Sequence, residues 1–345
     1  MRGYRSRVRR PRRLAAPALA ALVLVPALAG CGGDDDELVV YSGRTSDLIR
    51  PVLERFSDET GFDVAFRSGD SSDLALLIEE EGDRSPADVF ISQSPGPLAF
   101  LAQSDRLAPL GASVTGRLAA AYRGQEDRWV GLSGRVRTLV YDSDEVDAAD
   151  LPGSVFDLTD ERYADSVALA PSNGSFQDFV SAMRLEVGDD RTLGWLEGME
   201  ANGSRTYANN DAIVQAVDRG EVRMGLVNHY YAEQLQEEDE STAARNHFFT
   251  EGDLGALLLL AGVGVLDGSD RTEDGQRLVE YLLGEESQRY FAEETLEYPL
   301  IEGVDPAADL EPLSSLPTAH FGLDELGGGL ERTRELIEES GLEAG

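Results

Sequence analysis

The sequence predicts an α/β protein of two lobes, and three features of the 345-residue chain carry that prediction. Residues 38–91 alternate strand, helix, strand, helix, strand, the rhythm of an open, mainly parallel sheet with crossover helices. A second α/β unit begins after the apolar stretch 135–141. The apolar run 256–266 then has the length of a buried strand returning to the first unit, with Gly262 and Gly264 easing close packing. Two units joined by two crossings enclose a hinged cleft.

The first thirty residues read as an address. Seven arginines crowd residues 1–13, and 14–28 is apolar but interrupted by Pro17 and Pro26. That stretch falls short of the roughly 20 residues needed to cross a hydrocarbon core of about 30 Å. It ends in Leu28-Ala29-Gly30-Cys31, which resembles the bacterial lipobox. The resemblance implies a lipoprotein signal peptide over 1–30, cleaved before Cys31, whose thiol receives a diacylglycerol. Residues 31–36, two glycines and three aspartates after the cysteine, then form a solvated tether. The mature protein is expected outside the cytoplasmic membrane, touching it only through the lipid.

From there the elements follow in order. Leu38-Val39-Val40-Tyr41 is a strand broken by Ser42-Gly43. Leu48, Ile49, Val52, Leu53 and Phe56 recur at helical spacing over 48–59, and Gly61 stops the helix. Residues 62–66 alternate as a strand, 74–81 are helical, and 88–91 form a third strand. The loops Ser42-Gly43-Arg44 and Ser92-Gln93-Ser94 fall beyond strand carboxyl ends, where such sheets bind ligands. The second unit holds a strand at 166–170, helices at 176–186 and 211–219, and a strand at 222–227. A helix over 271–283 and an acidic carboxyl-terminal segment complete the chain, which has no internal repeat. The crossings divide it into one lobe of 37–136 with 261–311 and another of 137–260 with 312–345.

Composition narrows the function. One cysteine excludes a disulfide framework and any cysteine-clustered zinc or iron–sulfur site. All 30 basic residues are arginine; beyond the signal segment 23 remain against 65 acids, a formal charge of −42 from Cys31 onward. Such a field opposes nucleic acid and free anions and leaves cations as natural partners. It is also what a surface adapted to high salt looks like, since 1 M salt screens charge over about 3 Å. Only three histidines occur, His229, His247 and His320, and Gly-x-Ser-x-Gly, His-Glu-x-x-His and phosphate-cradling loop motifs are absent. An enzyme finds little support.

The informative stretch is 222–234, VRMGLVNHYYAEQ, where a strand ends and Asn228-His229-Tyr230-Tyr231 turns into a helix. At such a turn two neighbouring phenols can both lean into a cleft. A phenol ionises near pH 10, but its phenolate is a hard anionic oxygen that a trivalent cation can hold in place of the proton. Packing and hydrogen bonding are the alternative use of such a pair.

Several stretches match, in order, the ferric-ion-binding periplasmic proteins of iron ABC importers. They are Val40-Tyr41-Ser42-Gly43-Arg44, Ser85-Pro86-Ala87-Asp88-Val89-Phe90 and Ser133-Gly134-Arg135 in the first half. Residues 170–176 (APSNGSF), 207–214 (YANNDAIV), 225–231 (GLVNHYY) and Tyr298-Pro299-Leu300 follow. The resemblance runs over about residues 37 to 320 and implies a type II-like periplasmic-binding-protein fold with the cleft between its lobes. It implies an Fe(III) cargo with a synergistic carbonate or phosphate, delivery to an ABC permease in the cytoplasmic membrane, and a monomer that binds no nucleic acid.

Carried over by position, Tyr230 and Tyr231 match the family's adjacent iron-ligating tyrosines. Tyr141 lies where some members place a third; a hinge-packing aromatic is its other reading. Asn173, Gly174 and Ser175 match the loop that holds the anion, where backbone N–H groups open a helix, or they simply cap it. Asn210 and Asn228 match polar residues around the anion, with Asn210 equally a helix cap. Arg135 or Arg137 suits a bidentate oxyanion or solvent. Tyr41 is a further oxygen or a core side chain, and His229 is expected to face away or to cap the turn. Thr45 and Gln93 stand where some members place histidine and glutamate ligands, so the first lobe contributes at most neutral contacts. A receptor of the same fold for a polyamine, thiamine, a phosphonate or an oxyanion is the alternative, and an extracytoplasmic hydrolase the remote one.

Overall fold

The computed structural model describes residues 37–342, leaving aside 308–309, 320–321, 323–324 and 327–328. The signal peptide, Cys31, the tether to Asp36 and His320 lie outside the described residues. Among those described, no helix is long and apolar enough to cross a membrane.

The first lobe starts with β1 (Glu37–Ser42), α1 (Ser46–Thr60), β2 (Asp63–Ser68), α2 (Ser71–Glu81), β3 (Val89–Ser92) and α3 (Pro95–Gln103). Gly61 closes α1 in the left-handed conformation at φ 77°, which glycine adopts without steric cost. After the short α4 (Ala112–Thr115), the 13-residue β4 (Val130–Asp142) is almost entirely buried. Then come β5 (Val167–Leu169), α5 (Gly174–Val187), α6 (Asp189–Ala201), β6 (Arg205–Thr206), α7 (Asn210–Asp218), β7 (Met224–Asn228), α8 (His229–Glu238) and β8 (Ala244–His247). The chain returns through β9 (Leu258–Val265), α9 (Thr272–Leu282), α10 (Glu285–Glu293) and β10 (Tyr298–Pro299), and α11 (Leu330–Glu339) ends it.

Strand order is β2-β1-β3-β9-β4-β7-β5-β6, with β8 and β10 both on β4. The expected mainly parallel sheet needs correction. β1 is parallel to β2 and β3, and β5 to β6 and β7, but every contact of β4 and β9 is antiparallel. The flanks are crossover units, whereas the centre consists of strands that pass between the lobes and must run against their neighbours.

Apolar cores lie on either side of that centre, with a third, smaller cluster of Val140, Ile213, Val214 and Val227 beneath α7. Leu38, Val40, Phe56, Phe90, Trp129, Val136 and Phe291 belong to the first. Leu139, Phe176, Phe179, Trp195, Leu226 and Leu336 belong to the second. β4 leaves one core at Val136 and enters the other at Leu139, while Leu258 and Leu259 of β9 point into different cores. Three residues of strand, about 10 Å, therefore separate the two packing environments.

α7 lies on β7 through a close approach at Gly225. A Cβ there would fall 2.3 Å from Ile213 Cγ2 and 3.1 Å from Ala168 Cβ. Gly225→Val is expected to lower unfolding stability by about 1–3 kcal/mol, read from urea midpoints at unchanged slope, because α7 must move off the sheet. An unchanged midpoint would contradict that packing.

Candidate functional site

Strand ends and helix starts of both lobes face one another across the β4 crossing. β7 ends at Asn228 and α8 begins at once with His229, so Tyr230 and Tyr231 occupy the first helical turn. Their ring centroids lie 4.3 Å apart at 31°. Tyr230 is 1 % exposed and its hydroxyl has no hydrogen-bond partner. Burial pushes its pKa well above the ordinary phenol value; the neighbouring Tyr231 and Glu297 add to the rise and Arg135 opposes it. Burial also raises Tyr231, and the nearby Arg135 opposes the rise.

Asn228 occupies the N-cap position of α8 yet makes no capping bond. Its Nδ2 instead donates to Ser175 Oγ (3.3 Å), and its Oδ1 accepts from Arg137 Nη1 (3.4 Å). Asn173 caps α5 by accepting from Ser175 N (3.1 Å), and it also accepts from Ser175 Oγ (2.6 Å) and Asn210 Nδ2 (3.2 Å). Asn209, not Asn210, caps α7, which leaves Asn210 free to join the cluster. The amino ends of α5, α7 and α8 thus converge with Asn173, Ser175, Asn210 and Asn228 around Arg137, an arrangement suited to anions.

Arg135 and Arg137 stand on the same face of β4, with Arg137 opposite Asn228. Both are buried. All three guanidinium nitrogens of Arg135 lack a hydrogen-bond partner, as do Nε and Nη2 of Arg137. Burial lowers the pKa of each, and Arg135 depresses Arg137 further. Arg44 is equally buried but has an acid: it pairs with Glu297 and donates to Ser133 Oγ (2.8 Å), leaving only its Nε without a partner. Glu297 keeps its Oε1 unpartnered. Sequence reasoning missed both, for 253 positions separate them and only the fold joins them.

His229 faces away from the pair. Its Nδ1 accepts from Val136 N–H (3.3 Å), its Nε2 donates to Leu296 O (3.0 Å), and its ring stacks on Tyr298 at 4.9 Å. Burial lowers its pKa to about 4. His247 spends Nε2 on Pro152 O (2.8 Å), so neither described histidine serves a serine. Tyr41 is core, its hydroxyl accepting from Arg67 Nη1 at 3.0 Å. Thr45 is exposed at the start of α1. The Gln93 N–H donates to Ser71 Oγ (3.0 Å), while its buried Oε1 has no partner.

Tyr141 requires a correction. It pairs with Met224 and Arg245 near the far end of β4, four residues and about 13 Å beyond Arg137, and packs against the second core. The strand is continuous, so nothing turns Tyr141 back toward Tyr230 and Tyr231. Among the described residues no cluster of three or more His, Cys, Asp or Glu side chains could hold a metal ion. Two open grooves flank the 301–318 segment, and neither includes a tyrosine of the pair.

Residues 84–322 match the family model described as bacterial extracellular solute-binding protein. The chain belongs to that family. This solute-binding protein is 32 % identical over 335 residues to the major ferric iron-binding protein of Neisseria meningitidis, covering 96 % of this chain and 98 % of that one. Its fold matches iron-bound HitA from Pseudomonas aeruginosa with a TM-score of 0.84 at 32 % identity, over 89 % of this chain and 99 % of the other. The Trichodesmium protein IdiA (FutA), in complex with iron and citrate ligands, matches with a TM-score of 0.76 at 26 % identity, over 89 % and 100 %. Like these two-lobed relatives, the solute-binding protein is built for capture between lobes.

Two outcomes test the electrostatics. Arg135→Met is expected to raise the stability of the ligand-free protein by about 1–4 kcal/mol, because it removes a buried charge that no acid hydrogen-bonds. Destabilisation in urea would show that Arg135 has a structural partner. Asp178, 4 % exposed on α5, has its pKa raised by burial to about 6. Its folded form therefore holds a proton that the unfolded chain releases near pH 4, and stability from this group is lost as pH rises toward and past 6. The stability of Asp178→Asn relative to the parent should improve by about 2 kcal/mol between pH 4 and pH 7. A pH-independent difference would contradict the burial argument.

Proposed function

We propose that this chain captures ferric ion between its lobes, with Tyr230 and Tyr231 as phenolate ligands and an oxyanion seated on the amino ends of α5, α7 and α8. The observation that carries the reading is a buried phenol with an unpartnered hydroxyl, Tyr230, packed on the half-buried ring of Tyr231 and set beside a guanidinium that no acid hydrogen-bonds. Burial makes either phenol hard to ionise in the free protein. A trivalent hard cation repays that cost, and Arg135 stabilises the phenolates as they form. Asn173, Gly174, Ser175, Asn210, Asn228, Arg135 and Arg137 hold the anion, which fills coordination positions that the protein leaves open. Gln93 contacts the cargo from the first lobe, and Thr45, being exposed, contributes only where the lobes meet.

The names of its relatives support the cargo: ferric iron for the Neisseria protein and iron for HitA. The protein breaks no bond. Binding shifts its population toward the closed arrangement, which a membrane permease of an ABC importer recognises. In this reading residues 37–136 with 261–311 form one lobe and 137–260 with 312–345 the other. Leu313 and Leu316 lean on the first core, so the second boundary lies within a packed strap. The chain acts as a monomer, anchored outside the cell membrane by a lipid on Cys31.

Purified protein titrated with ferric citrate is expected to develop a visible phenolate-to-iron charge-transfer band. The double substitution Tyr230→Phe, Tyr231→Phe should abolish the band, and Tyr141→Phe should preserve it. A band that survives the double substitution, or disappears with Tyr141 alone, refutes the ligand assignment.

A further inference from the structure

The anion seat contains one group of the wrong sign. Asp178 lies one turn beyond Ser175 on α5, and residues three apart share a helix face. The charged groups facing its carboxyl are Arg135 and Arg137 on β4 and Asp70 at the start of α2. On the first-lobe side the Ser94 side chain donates to it, and a Cβ at position 96 would lie 3.3 Å from its Oδ1. Its Oδ2 is buried and has no partner.

Charges of both signs therefore border one seat without satisfying each other. Five guanidinium nitrogens of Arg135 and Arg137 and one carboxylate oxygen are all buried and unpaired. An acid introduced only to neutralise the arginines would bond to them directly, since a guanidinium–carboxylate fork is the strongest pairing available to either. Held apart, they demand a ligand that accepts from the arginines and donates to the acid. Above its raised pKa of about 6 the Asp178 carboxyl is ionised and can only accept.

We propose that Asp178 is a specificity-determining residue of the anion seat, selecting an oxyanion that still carries an acidic O–H, such as hydrogen phosphate or bicarbonate, over fully deprotonated sulfate. This rests on the anion seat proposed above and adds a rule for what fills it. An O–H donated to Oδ2 gains a charge-assisted hydrogen bond. Sulfate would instead place a lone pair against a buried carboxylate, and sites built around a specific hydrogen bond reject partners that leave it unmade. The first lobe helps set this preference, because Ser94 orients the carboxyl once the lobes meet.

The test uses the iron-free protein at pH 7.5 and calorimetric titration with sodium phosphate, sodium bicarbonate and sodium sulfate. Phosphate and bicarbonate are expected to bind at least tenfold more tightly than sulfate. In Asp178→Asn, whose amide donates as well as accepts, sulfate should gain until the gap is under threefold. Equal binding of the three anions by the parent protein, or no binding of any, overturns the proposal even if the variant fails to fold. Discrimination that persists in a folded variant overturns it too. The charge-transfer band is recorded separately. Its absence alongside intact anion discrimination defeats the ferric reading alone, and its presence with equal anion affinities defeats this one alone.

Discussion

Placing two guanidinium groups in a dry interior without acids of their own is the constraint around which the molecule is arranged. Removing a cation from water costs several kcal/mol, and here neither Arg135 nor Arg137 recovers that cost through a hydrogen bond to a protein carboxylate. Arg44, nearby and equally buried, shows the ordinary solution, an ion pair with Glu297 reinforced by Ser133. The contrast within one site separates an arginine paired with an acid from two that the proposed function assigns to a ligand. A stability cost tolerated at a site is usual where binding is the function.

The same contrast organises the phenols. Tyr41 and Tyr230 are both buried, but Tyr41 has its hydroxyl engaged by Arg67 whereas Tyr230 does not. Iron-free, the site is a set of frustrated polar atoms of matched character: phenols that resist ionisation, arginines that lack anions, and one carboxyl held apart from both. In the proposed function metal and anion together resolve all three, so each is expected to bind less well without the other.

Much of this was legible in the sequence. Turn residues at Gly61, helical spacing over 48–59 and the abrupt change at Asn228 are local signals, and the elements they predict are present. The helices α6 and α10 went unread because glycines in the first and charge in the second blur the apolar stripe. The sheet was read as mainly parallel because crossover units dominate the local pattern, while the antiparallel centre depends on strands more than a hundred residues apart. The acidic composition and the lack of enzyme motifs narrowed the function; Arg44 was visible only as part of a matching loop, and Glu297 and Asp178 had no motif to announce them. Tyr141 was misplaced for a related reason: proximity in sequence to the crossing says nothing about how far a straight strand carries a side chain beyond it.

β4 has a mechanical consequence. It belongs to the first core at Val136 and to the second at Leu139, and the ligand-seeking arginines occupy positions 135 and 137 of that same span. Pivot and sensor are therefore one short piece of backbone. When charge is neutralised at the seat, the torque acts with almost no lever arm and is felt directly at the axis about which the halves turn. Under the proposed function, a cargo only slightly misplaced at these arginines would act on the same few residues of β4 that join the two cores.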